Sequence, residues 1–180
     1  QGTEPRDPNP TRDPPLPLPE VRTMTKLPSW ALAPLAKRAI RLALSREPDI
    51  SIGGREDPYL ERWFAIPRNR WFNIYVHRFC RSDDDRALHD HPWINCSVLL
   101  EGSYVEHTSV GRTERKAGEV KIRSAKGAHR IELTNGRCWT LFITGPRMRE
   151  WGFHCPQGWR HWREFTAGPK GETVGKGCDD

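Results

Sequence analysis

From Arg70 onward the chain is cut into short strand-like segments, and this limits its fold more than any other feature. The segments fall at 71–80, 86–91, 94–101, 103–108, 118–123, 128–133, 138–144 and 149–154, punctuated by Gly102, Gly111, Gly118, Gly127, Gly136 and Gly145. Runs of this length, rich in β-branched and aromatic residues and separated by turn formers, predict antiparallel strands closing into a sandwich or barrel of the jelly-roll kind. A chain of 180 residues suffices for one such core with appendages. Its mean hydropathy is −0.77, and no apolar run approaches the length of a membrane span.

The flanks read differently. Residues 1–28 contain Pro14-Pro15-Leu16-Pro17-Leu18-Pro19 among Asp, Arg and Thr. Such a segment buries too little apolar surface to offset its ordering entropy, so a disordered or polyproline tail is expected, with Met24 a potential natural start. It has no apolar core of a signal peptide. Residues 29–66 are expected to be helical and to pack on the barrel. Within them, 29–46 carries an apolar face of Leu32, Leu35, Ala36, Ala39, Ile40, Ala43 and Leu44, with Ser29 as cap. Asp57-Pro58 predicts a short helical turn running to Trp63. The barrel is placed at 67–166, and the Gly/Lys-rich residues 167–180 are expected to be a flexible tail.

The charge is +6, from 29 Lys and Arg against 23 Asp and Glu. It is scattered rather than gathered into a stripe, which argues against a nucleic-acid partner and leaves a small-molecule substrate as the expected one. The basic face of the first helix suits solvent beside a barrel better than a membrane surface. Five cysteines in an odd count without C-x-x-C predict reduced thiols and a cytoplasmic setting.

Within the β region, His89-Asp90-His91 places two imidazoles at i and i+2. On an extended strand these point to one face, and His129 lies in a separate strand-like segment that can fold back beside them. Two ligands from one strand and a third from another are a way to hold a metal ion inside a barrel.

The spacing around these histidines resembles the cupin superfamily. Against the first cupin motif, G-x5-H-x-H-x3,4-E-x6-G, the chain supplies His89, His91 and Gly102, with Asp83 at the leading Gly and Asn95 at the Glu. Against the second, G-x5-P-x-G-x2-H-x3-N, it supplies Gly118 and His129, while Ser124, Lys126 and Leu133 replace Pro, Gly and Asn. The resemblance covers about residues 70–145 and implies a cupin-type jelly roll. It also implies a metal site of His89, His91 and His129 without the acidic ligand, as in the cupin-like thiol dioxygenases. The implied cofactor is a divalent transition metal, Fe(II) first, with Zn, Mn or Ni as alternatives. The implied activity is that of an oxygenase acting on a small polar or anionic substrate. A non-redox isomerase, lyase or hydrolase and a non-catalytic ligand-binding cupin are the competing readings. In the dioxygenase analogy a basic group pairs with the substrate carboxylate, and Arg78, Arg123 and Arg130 are the nearest in sequence. Cupins commonly pair through their sheets, which leaves a homodimer open.

Asn95, Glu101 and His77 are further candidates for catalysis, with Glu106 as an additional acid. Asn95 shares strand parity with His89 and His91, and is read as a weak ligand, an orienting group for metal-bound water, or a core amide satisfied by backbone. Glu101 has the parity of Asn95 and, facing inward, would be a general acid/base; Glu106 is a second acid near the barrel. His77, one strand earlier, is read as a residue behind the ligands or as a structural histidine.

Overall fold

A computed structural model describes residues 24–83, 87–169 and 173–179. The described chain is dominated by antiparallel strands. In order these are β1 (Met24–Lys26), helix α1 (Ser29–Leu44), β2 (Ile50–Ile52), β3 (Leu60–Phe64), β4 (Asn73–Phe79), β5 (Leu88–His89), β6 (Asn95–Glu101) and β7 (Ser103–Thr108). There follow β8 (Gly111–Lys116), β9 (Glu119–Arg123), β10 (Arg130–Leu133), β11 (Cys138–Thr144), β12 (Gly152–Cys155), β13 (Gly158–His161) and the one-turn helix α2 (Trp162–Phe165). The large sheet has the order β1-β9-β6-β11-β4-β3-β2, and β10-β7-β8 and β13-β12-β5 form two smaller sheets. From β4 onward the chain passes repeatedly between the large sheet and the two small ones, in keeping with the jelly-roll expectation.

The large sheet has two packed faces. Outward, Trp63, Val76, Val98, Leu100 and Trp139 bury themselves against Ala39 and Ala43 of α1. The two alanines let the helix approach closely, and the Trp63 and Trp139 rings lie 5.6 Å apart. Inward, Leu60, Phe79, Leu99, Tyr104, Ile131 and Cys138 form a second core between the sheets. Gly102 makes the β6–β7 turn at φ +85°, where an added Cβ would sit 2.8 Å from the Arg137 carbonyl oxygen. That backbone position explains why a glycine stands there.

Several expectations for the flanks are corrected. Residues 60–63, expected to be helical, form β3, because pairing with β4 over Leu60↔Phe79 to Phe64↔Tyr75 outweighs the local Asp-Pro signal. Residues 50–52 form a strand as well, and β1 adds Met24–Lys26 to β9 at the sheet edge. The N-cap of α1 is Pro28, with no side-chain cap bond from Ser29. The expected disordered tail lies, over residues 1–23, outside the described residues. The C-terminal segment is not loose: Ala167 bridges Thr173, and Cys155 and Cys178 form a disulfide. The expectation of reduced thiols therefore fails for this pair, whose 23-residue separation carries no recognisable spacing signal. Cys80, Cys96 and Cys138 are free. No helix among the described residues is long and apolar enough to cross a membrane.

Candidate metal centre

The two histidine segments meet through backbone bonds. The His89 N–H donates to the His129 carbonyl and the His129 N–H donates to that of His89, both at 2.9 Å, and the His91 N–H donates to the Ala125 carbonyl at 3.2 Å. Between the histidines, Asp90 points the opposite way and is 1% exposed. It accepts from the Gly152 N–H at 2.9 Å and from Trp159 Nε1 at 3.0 Å, and it pairs with Arg149 at 2.8 Å. A carboxylate satisfied by that many donors pins the segment to β12, so the imidazoles on either side are held from behind.

The resulting arrangement is a triangle of rings. Centroids are 5.2 Å apart for His89 and His91, 4.9 Å for His89 and His129, and 5.2 Å for His91 and His129. One ring nitrogen from each lies within 4.8 Å of the other two, and the Nε2 atoms of His91 and His129 are 2.9 Å apart. Carboxylates stand behind two of the rings. Asp83 Oδ2 lies 3.4 Å from His89 Nδ1, and Glu106 Oε1 lies 3.2 Å from His129 Nδ1 without completing a hydrogen bond. Acids placed behind imidazoles orient the opposite nitrogen and raise its basicity toward a metal.

Burial keeps these rings neutral. Desolvation pushes His89 and His91 well below the ordinary imidazole range, and His129 and Arg123 act in the same direction. For His129, burial and then Arg123 lower the pKa to about 4, with Glu106 opposing them. Neutral imidazoles keep the lone pairs that a cation needs, so the donor set fits a divalent transition metal.

Glu106 carries more of the site than the sequence indicated. It is fully buried, accepts from Arg115 Nε and Arg123 Nε at 2.9 Å each, and has Lys121 Nζ at 3.7 Å. Burial alone would raise its pKa, but His129 and Arg123 reverse this and hold the carboxyl far below its usual range. The available signal was its inward parity with Tyr104 on β7: a charged residue at a core position needs compensating partners.

The three other candidates fall in different places. Glu101 does not face inward. Opposite Trp139 and Thr140 of β11 stand Glu101 and Leu99, so Leu100 is an extra residue in β6. This bulge reverses the parity after Leu100 and turns Glu101 to the exposed, helix-facing side. Asn95 is 2% exposed, and neither its Oδ1 nor its Nδ2 has a partner. It sits in register with Arg123 on one side and Thr144 on the other, away from the main cavity wall. His77 faces inward but contacts Arg62 rather than the triad: Arg62 Nε donates to His77 Nε2 at 2.9 Å. Burial, reinforced by Arg62, holds His77 well below the imidazole range.

The triad opens on a cavity of about 460 Å³ whose lining includes the aromatic side chains of Tyr75, Phe142 and Phe153. None of the arginines nearest in sequence lines it. Arg78 pairs with Glu61, Arg123 is held by Glu106, and Arg130 is off the cavity wall. Arg62 does line it, and the helical reading of 58–63 concealed that.

No protein-family model matches the chain, and no curated protein matches it. Solved structures with a similar fold include a double-stranded β-helix protein from Klebsiella pneumoniae, at 14% identity and TM-score 0.46, covering 57% of this chain and 90% of that one. A cupin-2 domain protein from Shewanella frigidimarina aligns at 15% identity and TM-score 0.40, over 48% of this chain and 80% of the other. A DMSP lyase structure aligns at 14% identity and TM-score 0.44, over 54% of this chain and 57% of the other. The chain thus spans little more than half of that lyase's length.

Proposed function

We propose that this protein is a metal-binding cupin in which His89, His91 and His129 hold one divalent transition metal, Fe(II) in the first instance, and that it is an oxygenase of a small polar or anionic substrate. The observation carrying this reading is the convergence of three neutral imidazoles, His129 buried and His89 and His91 half-buried, within 4.8 Å of one another at the wall of a cavity. When bound, the metal supplies Lewis acidity and, as iron, one-electron chemistry with O2. The protein's own part is to fix the ligands through Asp90, Asp83 and Glu106, to keep the rings deprotonated, and to surround the substrate with aromatic walls that exclude water. Among the described residues no carboxylate belongs to the donor cluster, so the ion would keep its full positive charge and attract anions.

The same three-histidine set is also that of a hydrolytic zinc site, which favours a non-redox isomerase, lyase or hydrolase as the second reading. Iron-dependent oxygen uptake with small carboxylic acids or thiols is the expected result. Turnover with zinc under anaerobic conditions would replace the oxygenase reading by the second. The Cys155–Cys178 bridge removes the support that reduced thiols gave to a cytoplasmic setting.

A further inference from the structure

Arg62 is a cation on a cavity wall without a counter-ion. It shares the inward face of β3 with Leu60 and Phe64. Its Nε is committed to His77 Nε2 at 2.9 Å, and its guanidinium carbon lies 5.0 Å from the centre of the Tyr75 ring. An imidazole that accepts from arginine must be unprotonated at that nitrogen, so His77 holds the guanidinium in place and does not neutralise it. Among the described residues no carboxylate pairs with Arg62. Two acids line the same cavity, and both face other groups. Asp49 is taken by Arg46 at 2.8 Å and by the Phe64 N–H at 2.6 Å, and Asp83 stands beside His89. The terminal guanidinium nitrogens are therefore left to whatever enters.

The neighbouring register position carries a second unsatisfied group. Thr140 of β11 lies opposite His77 of β4, is 1% exposed, and lines the cavity with its Oγ1 unpartnered. Arg62, His77 and Thr140 thus make one polar row across three adjacent strands, flanked on the same wall by the Tyr75, Phe79 and Phe142 rings. The Phe142 ring stands between this row and the triad, 5.0 Å from His77 and 5.8 Å from His91. A ligand touching both ends would lie against the Phe142 ring.

We propose that the row Arg62–His77–Thr140 binds the carboxylate of a small monocarboxylic acid whose apolar body lies against Phe142 and Tyr75 and points its far end at the histidine triad. A planar guanidinium fork matches a planar carboxylate, and Arg62 is the half-buried one of the two guanidiniums on this wall, since Arg68 lies exposed over the Phe64 ring. The proposal rests on the reading of the triad as the reactive centre only for which end reacts; the recognition of the anion needs no metal.

The test is calorimetric titration of the metal-free full chain with benzoate, benzamide and benzenesulfonate, repeated on Arg62→Met, Arg62→Lys and Thr140→Val. Benzoate should bind at least about tenfold more tightly than benzamide, and Arg62→Met should remove that preference while leaving the benzamide affinity unchanged. Arg62→Lys should restore part of it, since the charge returns without the fork. Thr140→Val should weaken benzoate by about threefold. Metal uptake by the native chain is measured in parallel: benzoate preference lost in Arg62→Met while metal uptake by that variant persists supports this proposal, and benzoate binding without metal uptake by the native chain sinks the metal reading alone. Equal affinity for acid and amide, no response to Arg62→Met in a folded variant, or no benzoate binding at millimolar concentration would overturn the proposal. Benzenesulfonate binding as tightly as benzoate would overturn the carboxylate assignment.

Discussion

Adjacent residues of β11 show how differently the two faces of the large sheet are built. Trp139 points outward and Thr140 inward. Trp139 packs into a complete apolar layer of Trp63, Val76, Val98 and Leu100 under α1. Thr140 sits in an inner wall where Arg62, His77 and Thr140 itself present polar atoms to an open cavity, and the Thr140 hydroxyl has no protein partner. One face is filled by its own side chains. The other is left incomplete, with cations and imidazoles fixed in place by groups behind them. The contrast separates what holds this fold from what the fold holds.

Mutations at these positions should break in opposite ways. Trp139→Ala empties the outer layer and should cost about 3–5 kcal/mol in urea unfolding, while the remaining folded protein still takes up metal. Loss of metal binding at equal folded population would mean that the two faces are not independent. On the inner face, pH is the probe. An unfolded-state histidine titrates near 6.5, whereas burial first, and Arg123 second, lower His129 to about 4. Below pH 6.5 the unfolded chain therefore binds a proton that the folded one refuses. Stability is full above that pH and falls as pH drops toward 4. Between pH 7 and pH 5 the metal-free protein should lose about 2 kcal/mol from His129 alone, read from urea midpoints. His77, His89 and His91 shift in the same direction and add to the loss. Saturating metal should flatten this profile, because bound imidazoles no longer compete for protons. The smallest effect belongs to Thr140→Val. Removing an unpartnered buried hydroxyl should change stability by less than about 1 kcal/mol in either direction, in contrast to its neighbour.

Strand alternation carried much of this in the sequence, and its failures are instructive. The boundaries of β7 and β11 were legible because those segments alternate cleanly between Gly102 and the turns near Gly111, Gly136 and Gly145. His89 and His91 read correctly as same-face neighbours, although only His89 lies in a regular strand, because the chain stays extended past it. The same parity argument failed for Glu101, since one extra residue at Leu100 reverses every face after it and a bulge has no sequence mark here. Arg62 was hidden by an Asp57-Pro58 helix signal that long-range pairing with β4 overrode. The disulfide was hidden because Cys155 and Cys178 are brought together by the path of the C-terminal segment rather than by spacing. The site was readable where it depended on local geometry and unreadable where it depended on which strands meet.

The most direct test of the central claim is metal content by elemental analysis of untagged protein, compared between the native chain and His91→Ala. The account predicts close to one equivalent of a transition metal after loading of the native protein, and little in the variant, with the far-ultraviolet circular dichroism and thermal midpoint of the metal-free forms nearly unchanged. Failure of the native protein to retain stoichiometric metal under any loading condition, or full retention by His91→Ala, would contradict it.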